Sequence, residues 1–314
     1  MANARGKSID TTDLSIDQAE RRGFIHRDYI AHCLRWTHVA KYMHQKQRYK
    51  TGHVLDVGCG CDLPLAKMFY TSRLILAQYV GVDYNPAGKF DMDPFHTGKM
   101  PVDAYGSVDF AVDVEVIPNG PNLEGGFKVA GDYFKSPNVI TCFEVLEHVE
   151  PEHARRMLIK MHQLLSHTRA ESREAVAFIS TPCWDAHVGA AANHVSEIKR
   201  AALGGLIEDL GFKIEGNWGT FASQRDYRDA LFFEEFGDAG REIWSRLSAY
   251  YDSNYLATIL APLYPQGARN NIWQISPLKA DETYERKFAP LAEVEGPWTS
   301  SEHWAGFDGS LNDE

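Results

Sequence analysis

Residues 54–60 form a short apolar run that ends in two glycines, Val-Leu-Asp-Val-Gly-Cys-Gly, and this run constrains the fold more than any other segment. Gly58 and Gly60 lack a Cβ, so the backbone there can adopt φ > 0 and approach a ligand at the start of a helix. Asp56 lies two positions before the first glycine, and Cys59 lies between the glycines. The pattern predicts a buried strand that leads into a ligand-binding turn.

A second strand is predicted at residues 79–83, Tyr-Val-Gly-Val-Asp, and it also ends in an acid. A carboxylate at this position suits the two hydroxyls of a ribose, which assigns that role to Asp83. A dinucleotide-binding loop would need a third glycine where this chain has Leu63, because its backbone must approach a pyrophosphate. The first turn therefore fits a nucleoside cofactor without a pyrophosphate better than it fits a dinucleotide.

The rest of the chain alternates predicted strands and helices, which is typical of an α/β fold with a parallel, doubly wound sheet. A Gly- and Pro-rich stretch at 85–126 is too long for a simple connection, and such stretches are usually functional or mobile. Gly211 is a natural stop for the helix before it. The other predicted elements are helices before residue 50 and at 63–70, 152–166 and 194–210, strands at 139–143, 175–180, 212–216 and 271–275, and helices within 224–262.

Net charge and cysteine content bear on the binding partner and on the cellular compartment. The formal net charge of −11 argues against a general nucleic-acid-binding protein, because phosphate contacts depend on Lys and Arg. Residues 21–50 are the exception, since they carry eight basic residues against one acid, Asp28, a balance of +7. The five cysteines form no zinc pattern and no disulfide framework, so we expect a cytoplasmic protein. No apolar run approaches the roughly 20 residues of a membrane-spanning helix, so no membrane association is expected.

Residues 142–150, Cys-Phe-Glu-Val-Leu-Glu-His-Val-Glu, follow the strand at 139–143. They fall at the carboxyl edge of the sheet, where doubly wound folds bind ligands. If this segment turns into helix, Glu144, Glu147 and His148 share one face, which would look into the cleft. We expect these three side chains and His194 to do the chemistry. The alternative is that the carboxylates cap or form ion pairs and that His148 only packs.

The two strand-plus-acid units, the Glu-Val-Leu-Glu-His run and the Ser-Thr-Pro turn at 180–182 resemble class I S-adenosylmethionine (SAM) dependent methyltransferases. The similarity is to the branch that includes the ubiquinone-pathway O-methyltransferases, and it covers roughly residues 52–216 plus the last strand. It implies a Rossmann-like, mainly parallel seven-stranded sheet whose last strand is antiparallel. The SAM-binding residues that it implies are Asp56, Gly58, Cys59, Gly60, Asp83, Tyr84, Asp132 at the adenine, and Phe143.

The Glu/His cluster is also similar to that of the small-RNA 2′-O-methyltransferases, which hold a divalent ion with two glutamates and two histidines. Carried across position by position, the metal ligands would be Glu144, Glu147, His148 and His194. A divalent ion lowers the pKa of an acceptor hydroxyl, whereas an imidazole accepts its proton directly, and both routes stay open here. Mg²⁺ and Mn²⁺ are both candidate ions.

Asp62 departs from the resembled family, which often has a small residue at this position. A carboxylate there would repel the carboxylate of SAM, so we expect Asp62 to turn away and cap the helix that begins at Leu63.

The resemblance predicts transfer of a methyl group from SAM to a hydroxyl or amine of a small or nucleotide-like acceptor. Two alternatives are an RNA or DNA acceptor docked on residues 21–50 and a SAM-binding protein without activity. The expected organisation is an N-terminal helical cap at 1–50, a SAM-binding core at 51–219, a helical lid at 220–268, the last core strand at 269–278 and a C-terminal tail at 279–314.

Overall fold

A computed structural model shows a mixed α/β fold with a main sheet of seven strands, as predicted. It describes residues 27–46, 51–84, 90–92, 95, 100–118, 120, 125–170, 174–185, 189–221, 229–251 and 253–301. The strands of the main sheet are β1 (His53–Val57), β2 (Gln78–Val82), β3 (Val102–Tyr105), β7 (Val139–Phe143), β8 (Val176–Pro182), β9 (Phe212–Phe221) and β10 (Asn270–Pro277). Three further strands, β4 (Glu115–Ile117), β5 (Gly126–Val129) and β6 (Asp132–Lys135), form a separate antiparallel sheet.

The main sheet has the strand order β3-β2-β1-β7-β8-β10-β9. The pairs from β3 to β8 are parallel, and β10 runs antiparallel to both of its neighbours, β8 and β9. The predicted antiparallel last strand is therefore confirmed. The carboxyl ends of β1, β2, β3, β7 and β8 meet at one edge, which is the edge that carries the predicted site.

Helices cover both faces of the main sheet. No described helix is both long and apolar enough to span a lipid bilayer. Short 3₁₀ turns occur at Leu146–His148, Ala261–Leu263 and Leu291–Glu293. The helices are α1 (Arg27–Gln45), α2 (Pro64–Thr71), α3 (Phe110–Asp113), α4 (Pro151–Ala170), α5 (Arg200–Asp209), α6 (Asp229–Ser248) and α7 (Ser253–Leu260).

Side chains that alternate along each strand build two cores. Leu55 and Ile140 face a core formed with α4 and α5, whereas Val54 and Val139 face a second core formed with α1 and α2. This alternation follows from the period of two in a strand, and it leaves the central strands buried on both faces. The doubly wound arrangement predicted from the sequence is confirmed.

The predicted helix at 194–210 begins too early. The helix α5 starts only at Arg200, because the backbone N–H groups of Val195 and Ser196 donate to the carbonyl oxygen of Glu147 at 2.8 and 2.9 Å. These donors are therefore committed to a distant turn and not to a helix. Gly211 has φ +83° after the end of α5, which agrees with its predicted role as a stop.

The predicted cap at Asp62 is also wrong. Leu63 occupies the N-cap of α2 with φ 48°, and no side chain caps this helix. Asp62 is exposed. Because Leu63 takes the left-handed conformation and leads into Pro64, the helix starts one residue later than an Asp62 cap requires.

The long stretch at 85–126 was expected to lack regular structure, and this is wrong for part of it. It contains β3, α3 and β4, although residues 85–89, 93, 94, 96–99, 119 and 121–124 lie outside the described residues. Asp109 caps α3 by accepting from the N–H of Ala111 at 2.9 Å. The pairing of β3 with β2 joins this stretch to the main sheet.

Candidate active site

The turn after β1 is held against the end of β2. The N–H groups of Gly58 and Cys59 donate to the carbonyl oxygen of Val82 at 2.8 and 3.3 Å. Gly58 has φ +74°, and a Cβ added there would lie 2.2 Å from Cγ2 of Val145. Val145 belongs to the turn that follows β7, so the glycine turn and the Glu/His turn are in direct contact. Only glycine fits at position 58.

Asp83 follows β2 directly and faces the glycine turn. The N–H of Gly60, whose φ is +66°, donates to Oδ2 of Asp83 at 2.9 Å. Asp83 is half-buried, and its own N–H donates to the carbonyl oxygen of Tyr105 at the end of β3. The turn and the acid are therefore one hydrogen-bonded unit at the carboxyl edge of the sheet.

Asp56 lies beneath this turn and is almost fully buried. Thr141 Oγ1 donates to Asp56 Oδ1 at 2.6 Å, and the Tyr79 hydroxyl donates to Oδ2. Burial raises the pKa of the Asp56 carboxyl to about 6, although both hydrogen bonds act to lower it. The Asp56 side chain therefore links β1 to β2 and β7 beneath the glycine turn.

The other predicted cofactor residues differ in exposure and in the element that carries them. Tyr84 is 75% exposed directly after Asp83, and Cys59 is buried, with burial raising the pKa of its thiol. Phe143 ends β7 half-buried, against the core that contains α1. Asp132 is exposed on β6 and accepts from the hydroxyl of Tyr105 at 2.8 Å, which places it near the carboxyl end of β3.

Glu144 does not share a helix face with Glu147 and His148. Its φ is 56°, so the chain reverses at this residue, and only Leu146–His148 form a short 3₁₀ turn. Three donors surround its carboxylate. They are Arg35 Nη1 at 3.1 Å, Ser180 Oγ at 2.8 Å and Asn270 Nδ2 at 2.6 Å.

Glu147, His148 and His194 do come together. One ligand atom from each lies within 4.8 Å of the other two, and the two imidazole rings are edge-to-face with centroids 5.0 Å apart. Glu147 is 1% exposed, and its Oε1 has no hydrogen-bond partner among the described residues. Burial, and then the neighbouring charge of Glu144, raise the pKa of the Glu147 carboxyl well above its usual range.

The N-terminal helix lies beside this region and contacts a helix of the segment predicted as a lid. The helix α1 packs against β9 and α7, and Arg35 reaches from α1 to Glu144. Tyr42 on the same helix contacts Phe178 on β8, with ring centroids 5.2 Å apart. That segment has its own small core around Ala257, Ala261 and Tyr264.

Sequence comparison decides the family. A family described as "Methyltransferase domain" matches residues 33–216, which include both acid-ended strands and the Glu/His cluster. The chain belongs to this family. Together with the seven-stranded fold, this makes it a class I SAM-dependent methyltransferase. No curated protein matches the methyltransferase sequence significantly.

Solved structures of other methyltransferases are similar to this chain at low identity. Magnesium protoporphyrin IX methyltransferase from Synechocystis, with bound S-adenosylhomocysteine (SAH), is 14% identical, with 78% of this chain and 83% of that chain covered and a TM-score of 0.43. The 1,6-didemethyltoxoflavin-N1-methyltransferase of Burkholderia thailandensis is 12% identical, with 87% and 88% covered and a TM-score of 0.45. The methyltransferase domain of a bacterial Hen1 protein is 13% identical, with 78% and 99% covered and a TM-score of 0.43. At these TM-scores the similarities carry no argument about the acceptor.

The glycine turn of the methyltransferase fits SAM. An added Cβ at Gly60, whose φ is +66°, would come no closer than 4.0 Å to Cδ of Pro64, so the backbone of the turn is open to a ligand there. The half-buried carboxylate of Asp83 at the end of β2 is suited to the ribose.

Sequence reasoning missed the residues that hold the Glu/His cluster in place. His194 Nδ1 lies 2.6 Å from Oε1 of Glu197, a fully buried carboxylate that also pairs with Arg269. His148 Nδ1 lies 3.2 Å from the carbonyl oxygen of Asn193. The His-x-x-Glu spacing of His194 and Glu197 is the one local signal that could have indicated the first of these contacts.

Proposed function

We propose that this methyltransferase transfers the methyl group of SAM to a hydroxyl or amine of a small or nucleotide-like acceptor, bound beside Glu147, His148 and His194. One observation carries the proposal: these three side chains converge at the carboxyl edge of the sheet. The turn that carries Glu147 and His148 touches the glycine turn through Val145 and Gly58. Cofactor and acceptor would therefore meet at the contact between the two turns.

The cofactor is assigned to the first turn. Gly58 and Gly60 would accommodate the methionine end of SAM, and Asp83 would accept hydrogen bonds from its ribose hydroxyls. The Gly60 N–H fixes Oδ2 of Asp83, so the carboxylate is oriented before the cofactor arrives. SAM supplies an activated methyl group, and the main task left to the protein is alignment, which is worth effective molarities of about 10⁵ to 10⁸ M.

The donor set of the cluster fits a divalent ion such as Mn²⁺ or Mg²⁺. Oε1 of Glu147 is buried without a hydrogen-bond partner among the described residues, and it lies beside two imidazoles. A cation there would offset the cost of burying this carboxylate. When bound, such an ion would lower the pKa of an acceptor hydroxyl. Glu147, His148 and His194 would hold it.

The sequence suggested that Glu144 is a metal ligand, but in this proposal it has a structural role. Its two oxygens accept three hydrogen bonds, from α1, β8 and β10. A carboxylate so occupied is a poor fourth ligand. We assign Glu144 to fixing the turn after β7 and closing α1 over the site.

A nucleic-acid acceptor is less well supported than a small one. The nucleic-acid hypothesis relied on the basic residues at 21–50, but Arg35 is 2% exposed and pairs with Glu144. Lys46 forms an exposed pair with Glu174. Residues 21–26 and 47–50 lie outside the described residues.

The test is methyl transfer from radiolabelled SAM to a panel of phenols, catechols, nucleosides and short RNAs, with Mn²⁺, with Mg²⁺ and with EDTA. We expect turnover on at least one small or nucleoside acceptor, loss of it in His148→Ala, and stimulation by a divalent ion. His153→Ala is the matched control, because His153 pairs with Asp109 on α3, outside the cluster. Turnover that His148→Ala leaves intact, or turnover confined to RNA, would contradict the proposal.

A further inference from the structure

The segment at 193–197 contacts all three members of the Glu/His cluster. Its Asn193 carbonyl faces His148 Nδ1, and its N–H groups at 195 and 196 bind the carbonyl oxygen of Glu147. Its last residue, Glu197, faces His194. The geometry of the cluster therefore depends on how this one segment is anchored.

Glu197 is the anchor of the segment. Its carboxylate is fully buried, and each oxygen is engaged: Oε2 accepts from Arg269 Nη2 at 2.7 Å, and Oε1 accepts from the Ala191 N–H at 3.0 Å. Arg269 also donates to the carbonyl oxygens of Cys183 and Gly189 at 2.7 and 3.0 Å. The guanidinium of Arg269 thus connects the Glu197 carboxylate to the backbone at Cys183 and Gly189.

The C-terminal segment fixes the backbone of Glu197 as well. The Glu197 N–H donates to Ser300 Oγ at 2.8 Å, and the Ser300 N–H donates to the Glu197 carbonyl oxygen at 2.9 Å. Thr299 forms an antiparallel bridge with Ile198, and the Lys199 N–H donates to the carbonyl oxygen of Trp298 at 2.7 Å. Residues 298–300 therefore act as a short strand that holds the segment down.

We infer that Glu197 is a positioning residue that sets the tautomer and ring orientation of His194. A carboxylate bound to a guanidinium can only accept hydrogen bonds, so the imidazole nitrogen facing it carries the proton. His194 is then protonated at Nδ1, and Nε2 carries the lone pair. The inference deepens the proposed function, since the cluster that Glu197 orders is the proposed reaction centre.

The tautomer of His148, the second imidazole of the cluster, is also set by its partner. The carbonyl oxygen of Asn193 also only accepts, so it selects the Nδ1–H form of His148. Both rings then present Nε2 as a ligand atom, which is the arrangement that partners behind a metal site commonly enforce.

The test measures tautomers and ion affinity in the full-length chain. Long-range ¹H–¹⁵N correlation spectra of the ¹⁵N-histidine-labelled, metal-free protein report which nitrogen of His194 carries the proton, on the alkaline side of the reference imidazole pKa of about 6.5. His194→Asn assigns the signal. We expect Nδ1–H in the wild type and a shift toward Nε2–H in Glu197→Gln. The glutamine amide has one oxygen, and when this oxygen accepts from Arg269, the NH₂ group faces His194. An Nδ1–H of His194 would then lie against an N–H, which favours the Nε2–H form.

Binding of Mn²⁺, measured by electron paramagnetic resonance, should weaken at least about 10-fold in Glu197→Gln. SAH affinity should stay within about twofold, because the glycine turn is not touched. Glu293→Gln, at an exposed position on the C-terminal segment, is the control and should behave as wild type.

An Nε2–H His194 in the wild type overturns the inference, and this reading does not depend on whether the variant folds. A Glu197→Gln protein with wild-type tautomer and wild-type Mn²⁺ affinity overturns it too. If the wild type binds no Mn²⁺, the metal part of the proposed function fails, whereas the tautomer measurement still decides the role of Glu197.

Discussion

Arg35 and Glu144 form an ion pair with Nη1 and Oε1 3.1 Å apart, although 109 residues separate them in the chain. The Arg35 and Glu144 side chains are 2% and 12% exposed. The pair connects α1 to the turn after β7, directly beside the proposed reaction centre. It explains why Glu144 is absent from the cluster, and it holds the N-terminal helix beside that turn.

Replacement of Arg35 by methionine should destabilise the protein by about 3 kcal/mol. The variant leaves the largely buried Glu144 carboxylate, 12% exposed, with Ser180 and Asn270 but without a cation, and breaking a buried pair typically costs about 3 to 5 kcal/mol. Urea unfolding of the two proteins measures the difference.

Lys46→Met is the matched control for this change, since Lys46 lies just beyond α1 and pairs with Glu174 where the side chains are 45% and 58% exposed. Exposed pairs contribute about 0 to 1 kcal/mol. Equal losses in the two variants would show that the Arg35 pair is no more than a surface contact.

Gly58→Ala should abolish SAH binding and destabilise the fold. The new Cβ would combine a φ of +74° with a contact of 2.2 Å to Val145, so the two turns would have to separate. Gly131→Ala isolates the backbone cost, because Gly131 has φ +92° and nothing lies within 4 Å of an added Cβ. Isothermal titration with SAH should therefore show wild-type affinity for Gly131→Ala and none for Gly58→Ala. Normal SAH binding by Gly58→Ala would refute the assigned turn.

The contribution of Asp56 to the free energy of unfolding should fall as the pH rises. Burial raises the pKa of its carboxyl from 3.8 to about 6 in the folded state. The folded protein thus holds a proton that the unfolded chain releases at lower pH, and this contribution to the free energy of unfolding is lost as the pH rises from about 4 through about 6. The shift of about two units corresponds to about 3 kcal/mol.

Asp56→Asn removes this titration while keeping an oxygen for Thr141 or Tyr79. Urea unfolding of both proteins between pH values of about 4 and about 7 should show the stability of the wild type falling relative to the variant. A difference between the two proteins that is constant with pH would contradict the raised pKa.

Local patterns predicted the strands that build the sheet. The apolar run at 139–143 became β7 with the same bounds, because a strand buried on both faces must be apolar throughout. The sequence of β6, Asp-Tyr-Phe-Lys, has three exposed residues out of four and gave no such signal, so the second sheet was missed. Its short strands are held by pairing and by packing against α4, neither of which is visible locally.

The candidate site was predicted by residue type better than by geometry. The Glu/His run correctly placed Glu147 and His148 at the carboxyl edge, and His194 joins them. The divergence of Glu144 depends on Arg35, and the late start of α5 depends on the carbonyl of Glu147. Both are long-range contacts, which sequence spacing does not reveal.

The proposed function requires SAM binding at the glycine turn after β1, and isothermal titration of SAH against the wild type and Asp83→Ala tests this most directly. Asp281→Ala is the control, because Asp281 is exposed and follows β10 at the opposite edge of the sheet. The account predicts saturable binding to the wild type and to Asp281→Ala, with binding to Asp83→Ala weakened at least about 10-fold by loss of the ribose contacts, the order expected for hydrogen bonds to a charged group. A wild type that does not bind SAH, or an Asp83→Ala protein that binds it as tightly as the wild type does, would contradict the account.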